Sequence, residues 1–512
     1  MSARQLCSDN YGHGPTPCDL PISSGMKEEW KRLETRRHFL GRNGKALAWA
    51  GLASLMGDGL LGTNSAQAAS IGSGGVLGKP HFRPTIKRVI YLFMSGGPPQ
   101  MDMWDYKPEL AAWFDKDLPE TIRGTSMPTG MTAGQTRFPV APSKWGFKQH
   151  GQCGRWVSDL LPSTARLADD IAVINSMHTD AINHEPAILQ INTGNMVPGK
   201  PSLGAWLSYG LGSMNENLPA FVVLTTHPTA GGQQPINSRL WGSGFFSSQH
   251  AGVLLRAAND PVLYLKDPKG MDREMRRTML DAVASLNQKT YEELGDPETH
   301  ARISQYEMAF RMQTSVPELV DFSDEPASTW ELYGPEARKP GTFAYNCLMA
   351  RRLAERGVRF TQLYKTGWDF HSNVVRDLPT LCREIDGPTY ALVTDLKRRG
   401  LLDDTLVVWG GEFGRTVYSQ GGLSRQEYGR DHHAKCFSMW MAGGNIKPGA
   451  SYGRTDDFSF SIAQDPVHIR DLNATILHCL GIDHNRFTFK MQGLDQKLTG
   501  VEPSRVVKEI LA

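Results

Sequence analysis

Residues 88–94 read RVIYLFM, and residues 95–99 continue as SGGPP. After its first residue, the segment at 88–94 is apolar throughout, which is typical of a strand buried on both faces of a parallel sheet. The glycines and prolines that follow end the strand and begin a loop at its carboxyl end. Because ligands of α/β proteins bind at such loops, this stretch predicts both the kind of sheet and the edge at which a functional site should lie.

Similar apolar runs recur along the chain. They occupy residues 171–174, 220–224, 359–364, 406–409 and 437–441. Helical patterns lie between them, at residues 158–168, 186–192, 274–286, 342–356 and 386–399. Since strands alternate with helices, the sequence predicts an α/β fold with a mostly parallel central sheet and helices on both faces.

The size and charge of the chain limit its function classes. It has 512 residues and a net charge of +2, with no block of lysines or arginines, so nucleic acid is not an expected partner. Residues 271–322 read as a helical insertion with charged faces, and no internal repeat occurs. We therefore expect one large domain over residues 85–512.

The N-terminal segment has the pattern of an export signal. Arg36-Arg37 forms a twin-arginine pair, apolar residues 46–53 follow, and Ala66-Gln67-Ala68-Ala69 offers a cleavage site after Ala68. We expect residues 1–68 to be a twin-arginine signal peptide with an N-terminal extension, and residues 69–84 to be a linker. The alternative is a membrane anchor, but the apolar stretch is short and interrupted by glycines.

Export has three consequences. The mature protein is expected to be periplasmic or extracellular, its first partner is the twin-arginine export machinery, and no stable membrane span remains after cleavage. This route carries proteins that fold before export, often with a metal bound. Cleavage also removes Cys7 and Cys18, and the remaining cysteines of the seven are too widely spaced for a disulfide framework.

Carboxylates and histidines lie at the ends of the predicted strands. Asp369, His371 and Glu412 come just after strands, and His432 comes just before one. An Asp-x-His segment in an extended loop points both side chains to one side, as shared metal ligation requires. Carboxylate with imidazole suits Zn²⁺, Mn²⁺ or iron, and carboxylate alone suits Mg²⁺ or Ca²⁺. The sequence therefore predicts a divalent metal, with Zn, Mn, Ca and Mg left open.

Each motif alone also has a simpler interpretation. Asp369 and His371 would fit a capped turn, and Glu412 would fit an ion pair with Arg415. Arg415 and Arg430 would suit the anionic oxygens of a substrate, or would each pair with a carboxylate. Only their joint position at the ends of strands of one sheet favours a common site.

Several segments together resemble one bacterial protein family. They are residues 93–102 (FMSGGPPQMD), 368–371 (WDFH), 411–416 (GEFGRT), 429–432 (GRDH) and 471–478 (DLNATILH). On these motifs the chain is identified as a member of an exported family abundant in planctomycetes, domain of unknown function 1501, grouped with the alkaline phosphatase and sulfatase superfamily. The resemblance runs from Lys87 to the C-terminus and implies an alkaline-phosphatase-like architecture, but the family has no settled reaction.

The resemblance also implies roles for the strand-end residues. Asp369 with His371 resembles the mid-chain metal-ligand pair of the superfamily, Glu412 its later acidic ligand, and His432 its last histidine. His433, where relatives tolerate other residues, is expected to be a bystander.

At the end of the first strand the superfamily has an aspartate, and this chain has Ser95. Asp102 and Asp105 lie some distance further on, and Asp102 is expected to be a metal ligand in place of the missing aspartate. Ser95, Arg415 and Arg430 are expected to bind substrate.

The nucleophile position departs from the superfamily too. Residues 184–194 read HEPAILQINTG, in which the proline and the Thr-Gly keep the spacing of the sulfatase motif, so the nucleophile position falls on His184. The formylglycine-forming cysteine and the arginine of that motif are absent. His184 at a helix start is the expected catalytic residue, and the options left open are phosphoryl acceptance, metal ligation, donation to an anion and a structural role.

These expectations define one leading function and two alternatives. The leading hypothesis is a metal-dependent hydrolase or transferase of phosphate or sulfate esters, acting on a small molecule or a polysaccharide. The first alternative is a non-catalytic envelope protein that binds a glycan or an anion in the same pocket. The second is a structural component of the cell envelope.

Overall fold

The apolar stretch at residues 88–94 forms a strand in which every residue is buried. The computed structural model describes residues 74–124, 131–256, 261–262, 265, 267 and 270–512. The predicted signal peptide therefore lies outside the described residues, and so do residues 69–73 of the predicted linker. Residues 74–84 hydrogen-bond to the body of the protein, as where Val76 N donates to Tyr209 O over 2.9 Å. No helix in these described ranges is long and apolar enough to span a bilayer.

The described strands, in chain order, have the following bounds. They are β1 Arg88–Met94, β2 Phe147–His150, β3 Arg155–Ser158, β4 Ile171–His178, β5 Phe221–Thr225, β6 Val253–Leu255, β7 Phe360–Lys365, β8 Thr405–Gly410, β9 Gly414–Gln420, β10 Gly429–His433, β11 Phe437–Ala442, β12 Ser451–Tyr452, β13 Arg454–Thr455, β14 Ile462–Gln464, β15 Val467–His468, β16 Phe489–Met491 and β17 Leu494–Gln496. Nine of them form the central sheet, in the order β12-β4-β11-β8-β1-β7-β5-β6, with β15 also beside β4.

The direction of the strands decides which loops meet. All neighbours in the central sheet are parallel except those of β11, which is antiparallel to both β4 and β8. The start of β11 therefore lies at the edge where β8, β1 and β7 end. The remaining strands form the separate pairs β2-β3, β9-β10, β13-β14 and β16-β17.

The α-helices lie between and after these strands. They are Gln100–Met103, Glu120–Arg123, His184–Thr193, Leu203–Leu211, Arg273–Leu294, Pro297–Val320, Ala327–Tyr333, Phe343–Glu355, Val374–Arg398 and Ile469–Cys479. Neighbouring side chains of β1 enter two different cores. Leu92 belongs to a core that contains Leu348 and Leu392, whereas Phe93 belongs to one that contains Ile188 and Leu472. The helices therefore cover both faces, and the predicted α/β class with a mostly parallel sheet is confirmed.

One predicted helix is wrong. Residues 158–168 contain only a short 3₁₀ turn, Thr164–Leu167, and Ser158 belongs to β3. The backbone N–H groups of Ser163 and Thr164 donate to the Asp386 carboxylate over 2.8 and 2.7 Å. These two backbone amides are thus bound by a carboxylate more than 200 residues away in the sequence. Such a long-range contact leaves no trace in the spacing of apolar residues on which the helix prediction was based.

Candidate metal centre

The predicted site residues come from loops at one edge of the sheet. Asp369 and His371 follow β7, and Glu412 lies between β8 and β9. His184 begins the helix after β4, and His432 lies in β10, just before the antiparallel β11. The parallel order of β8, β1 and β7, together with the reversed β11, brings these loops together.

Asp369 Oδ1 is the atom on which three imidazoles converge. It lies 2.9 Å from Nε2 of His371, 3.1 Å from Nε2 of His184 and 3.4 Å from Nε2 of His432. The candidate ligand atoms of these four residues all lie within 4.8 Å of one another. Within the described ranges, this group of histidine and carboxylate side chains is the one whose spacing can hold a metal ion.

The opposite nitrogen of each imidazole contacts an oxygen. Nδ1 of His184 lies 2.6 Å from Glu412 Oε1, Nδ1 of His432 lies 2.8 Å from Ile182 O, and Nδ1 of His371 lies 2.5 Å from Gln420 Oε1. Each of these oxygens accepts a hydrogen bond, so we assign a proton to each Nδ1, and a neutral imidazole of this kind has its lone pair on Nε2. This tautomer is the one that coordinates a metal through Nε2.

The bare nitrogens contact each other as well as the carboxylate. Nε2 of His371 and Nε2 of His432 are 3.0 Å apart, and the rings of His184 and His432 have centroids 4.2 Å apart. When both rings are neutral and carry their protons on Nδ1, the lone pairs of the His371 and His432 Nε2 atoms face each other with no hydrogen between them. Nε2 of His184 is buried and makes no aligned hydrogen bond, although Asp369 is near. Acceptors placed this way repel unless a cation lies between them, so the donor set fits a metal ion.

Electrostatics keep the central carboxylate ionised. Burial raises the pKa of Asp369, but the adjacent His184, His371 and His432 and the guanidinium of Arg415 outweigh it and hold the pKa far below its usual range. Burial lowers the pKa of His432, which favours a neutral imidazole at this position. For His184, burial is outweighed by Asp369 and Glu412, and its pKa is raised. A proton on His184 is the natural substitute for a cation here, and a metal would displace it.

Two neighbours fix the position of the Asp369 carboxylate. Arg415 Nη2 donates to Asp369 Oδ1 over 2.6 Å, and Gln234 Nε2 donates to Oδ2 over 2.7 Å. The backbone of Gly96, with φ of 121°, passes so close that a Cβ there would lie 2.6 Å from Asp369 N. The glycine after β1 is therefore required for the two loops to meet.

Glu412 was expected to be a metal ligand, but in the structure it contacts one of the candidate ligands and is not itself one of the four clustered residues. Its carboxylate is fully buried, accepts the Gly96 N–H over 2.9 Å, and contacts His184 Nδ1. It does not belong to the four-residue group. Its geometry is that of a carboxylate that orients a metal-ligating histidine.

Arg415 was expected to bind substrate, but its donors are already used. Its fully buried guanidinium donates to the carbonyls of Gly96, Gly97 and Arg430 as well as to Asp369. An arginine has five N–H donors, so little remains for an anion. This placement favours a role in holding the loop after β1 against Asp369.

Arg430 and Asp102 form a buried ion pair with each other. Arg430 Nε and Nη2 donate to the two oxygens of Asp102 over 2.8 and 3.1 Å. The other donors of Arg430 go to the carbonyls of Thr416, Val417 and Ala141. Both side chains are inaccessible, and neither belongs to the candidate metal group. The placement therefore favours neither metal ligation by Asp102 nor substrate binding by Arg430.

The remaining predicted residues lie around the centre without joining it. Ser95 Oγ is buried without a hydrogen-bond partner. His433 does not belong to the candidate group, and its Nε2 donates to Phe460 O over 2.6 Å.

Three supporting groups were missed by the sequence analysis. Gln234, Gln420 and the carbonyl of Ile182 hold Asp369, His371 and His432 respectively. Gln420 ends β9, so a strand-end search of the kind applied to the other motifs would have found it. A backbone carbonyl leaves no trace in the residue type, and Gln234 lies in a loop without a motif.

Comparison with solved structures finds several proteins to which this chain is similar. The chain is similar to a mutant TAB5 alkaline phosphatase with Mg bound in its M3 site, at 10% identity and a TM-score of 0.31, covering 78% of this chain and 98% of that one. It is similar to a sulfatase from Pseudoalteromonas sp., at 12% identity and a TM-score of 0.29, covering 78% and 68%. It is also similar to a protein in the alkaline phosphatase superfamily from Vibrio parahaemolyticus, at 10% identity and a TM-score of 0.31, covering 85% of this chain and 72% of that one.

These likenesses are too weak to assign an activity, and no curated protein matches the chain. The family model described as "Protein of unknown function (DUF1501)", in contrast, matches residues 86–511. The predicted family is confirmed, and the chain belongs to this family of unknown function.

Proposed function

We propose that the protein is a metal-dependent hydrolase or transferase of phosphate or sulfate esters. The observation that carries the proposal is the convergence of three imidazole Nε2 atoms on Asp369 Oδ1, while each Nδ1 contacts an oxygen. Asp369, His184, His371 and His432 would hold the ion. The side chain of His371 is 23% exposed, more than the other three, so a substrate would approach from its side.

The donor set narrows the choice of metal. Three imidazoles and one carboxylate match Zn²⁺ or Mn²⁺, whereas Mg²⁺ and Ca²⁺ prefer oxygen ligands throughout. We propose Zn²⁺ or Mn²⁺ as the resident ion. When bound, the ion would supply Lewis acidity to an ester oxygen.

The residues around the centre suggest hydrolysis without a protein nucleophile. Nε2 of His184 faces Asp369 and Nδ1 contacts Glu412, so neither nitrogen is free to accept a phosphoryl group. We therefore assign His184 to metal ligation and propose water as the attacking group. The ester bond then breaks as water adds, and the alcohol leaves with a proton.

Metal content and turnover test this proposal together. The mature protein is purified from its host, analysed for metals, stripped with a chelator, and assayed with phosphate monoesters, phosphate diesters and sulfate esters before and after Zn²⁺ or Mn²⁺ is restored. One ion per chain and metal-dependent turnover are expected, and both should be lost in His432→Gln. His433→Gln is the matched control, because His433 Nε2 contacts Phe460 O rather than the centre.

Two outcomes would contradict the proposal. Absence of a stoichiometric ion would remove the metal centre, and turnover that survives chelation and His432→Gln would place the chemistry elsewhere. Metal without turnover on any ester would instead favour the non-catalytic binding protein for a glycan or an anion.

We also propose export by the twin-arginine route, on the basis of Arg36-Arg37 and the small residues before Ala69. Lysine replacement of both arginines should leave the protein in the cytoplasm. N-terminal sequencing of the exported form should begin at Ala69, and a start at Met1 would contradict cleavage.

A further inference from the structure

The helical insertion after β6 presents an unusual outer surface. Helices Arg273–Leu294 and Pro297–Val320 run antiparallel: Arg277 pairs with Glu307 over 2.5 Å, and Arg273 donates to Thr314. The first helix has 22 residues and is about 33 Å long at 1.5 Å per residue. One side of it packs on the second helix, and exposed residues lie on the opposite side.

Apolar side chains form a stripe along that outer side, which we call the Met275–Leu286 stripe. Met275 is 53% exposed, Met279 37% and Leu286 64%, and Ala282 between them is also exposed. Their spacing of four, three and four residues keeps all four on one narrow face of the helix, as in the seam of a coiled coil. Scattered exposed apolar residues need no explanation, but a continuous seam of this kind marks an interaction surface.

We propose that the Met275–Leu286 stripe docks on the same stripe of a second copy of this chain, with the two helices antiparallel. The stripe is symmetric about a point midway between residues 280 and 281. Positions 275 and 286 are equally far from it, and so are positions 279 and 282. A two-fold axis at this point therefore sets Met275 against Leu286 of the partner subunit, and Met279 against Ala282 of the partner subunit.

Charges at the ends of the stripe have the same symmetry. Asp272 and Lys289, both exposed, are also equally far from the midpoint, so the two-fold axis brings each Asp272 to Lys289 of the partner subunit. Asp272 Oδ1 caps the helix by accepting the Met275 N–H over 2.8 Å, which leaves its other oxygen for the lysine. A parallel arrangement would oppose like charges instead, so the charge pattern selects the antiparallel pair.

The side chains at the centre suit close approach of two helices. Ala282 is small and lets the backbones come together, and Met279 is flexible enough to fill the space beside it. Four residues per subunit make a small interface, so the dimer is expected to form at micromolar rather than nanomolar concentration.

A complementation experiment tests the proposal and its register. The protein is examined by analytical ultracentrifugation from about 1 to 200 μM, in the metal-loaded form. The wild type should be a dimer at the upper end, and Leu286→Glu and Met275→Lys should each weaken association at least about a hundredfold, because both copies then bury a charge against an apolar partner. An equimolar mixture of the two variants should dimerise again, since the introduced carboxylate and ammonium meet across the axis.

Ser285→Glu is the matched control, since Ser285 is exposed and adjacent to Leu286 but lies off the stripe. It should dimerise as the wild type does, and circular dichroism should show all variants folded. A monomeric wild type would overturn the proposal. That is the result expected if another protein, rather than a second copy, binds the stripe. A dimer that survives Leu286→Glu, or a mixture that does not dimerise, would overturn the interface or its antiparallel register. None of these outcomes depends on the metal centre, because turnover is not the readout.

Discussion

Two groups of buried charged residues at the same edge of the sheet differ in how their hydrogen bonds are matched. Around Arg430 and Asp102, donors meet acceptors: five hydrogen bonds from the guanidinium reach the carboxylate and three carbonyls. Around Asp369, three imidazole Nε2 atoms lie close to one carboxylate oxygen, and in the neutral rings with the proton on Nδ1 these atoms are acceptors facing an acceptor.

The difference separates a structural role from a binding role. When every donor meets an acceptor, the hydrogen bonds and charge attraction within the pair offset the free-energy cost of burying its charges, and no further ligand is required. A cluster of acceptors is costly by itself and becomes favourable only when a cation enters it. Residue types alone do not make the distinction, because both groups contain a carboxylate and a cationic or titratable partner.

The largest expected effect is at the centre of the acceptor cluster. Asp369→Asn removes the negative charge that three imidazoles share while keeping an oxygen for Arg415 and a similar shape. Metal affinity should fall more than about a hundredfold, since even the outer partners of metal ligands are worth ten- to a hundredfold. Equilibrium dialysis against Zn²⁺ with a competing chelator measures it.

The control for this change is Asp115→Asn. Asp115 is half exposed, pairs with Arg137 over 3.3 Å, and does not belong to the candidate metal group. It should bind Zn²⁺ as the wild type does. Equal affinity of Asp369→Asn and wild type would mean that the imidazoles are held by protons and not by a metal.

The second prediction concerns the matched pair. Asp102→Asn leaves the fully buried Arg430 without its counter-ion, and breaking such a pair costs about 3–5 kcal/mol of unfolding free energy. Urea denaturation should show a clearly lower midpoint, while the metal content stays at the wild-type value. A loss of metal with unchanged stability would reverse the roles assigned to the two groups.

The third prediction concerns Glu412, which contacts a candidate metal ligand without belonging to the candidate metal group. Glu412→Gln keeps an oxygen near His184 Nδ1 but removes the charge that orients and polarises the imidazole. Zn²⁺ affinity should fall by about ten- to a hundredfold, less than in Asp369→Asn. A loss as large as that of Asp369→Asn would make Glu412 a direct ligand, as the sequence suggested.

The sequence predicts the fold well where the pattern is local. The apolar run at residues 88–94 is a buried strand, and the motifs after β7 and β8 do lie at one edge. The antiparallel direction of β11 could not be read from its residues, because an apolar run looks the same in either direction. That direction is what lets His432, which precedes its strand, meet residues that follow theirs.

The site was predicted in its residue types and less well in its contacts. Asp369, His371, His432 and His184 meet, but His184 had been expected as the catalytic residue, with metal ligation as one of several open roles, and Glu412 had been expected as a ligand. Which oxygen contacts which nitrogen depends on side-chain directions a few ångströms apart. Asp102 and Arg430 show the same limit, since nothing in their spacing indicates that each is the other's partner.

The smallest expected effect is at an imidazole that is matched. His468 Nε2 lies 3.0 Å from Asp180 Oδ2, and its Nδ1 accepts the Arg470 N–H, so no nitrogen is left bare for a metal. Burial lowers the pKa of His468 to about 4, and the nearby Arg470 adds to the shift against the opposing pull of Asp180.

Because this pKa is below the unfolded value of about 6.5, the folded chain binds fewer protons than the unfolded chain between these two pKa values, and folding is opposed as pH falls. The contribution of the neutral His468 to the unfolding free energy is fully present above about pH 6.5 and is lost progressively as the pH falls toward 4. His468→Asn retains a good helix-capping residue and removes this titration, so between pH 7.5 and 5.5 the wild type should lose about 1 kcal/mol more than the variant. Urea midpoints at the two pH values measure the difference, and added Zn²⁺ should leave it unchanged. Parallel profiles of the two proteins, or a difference that Zn²⁺ abolishes, would show that His468 is not the matched imidazole its contacts indicate.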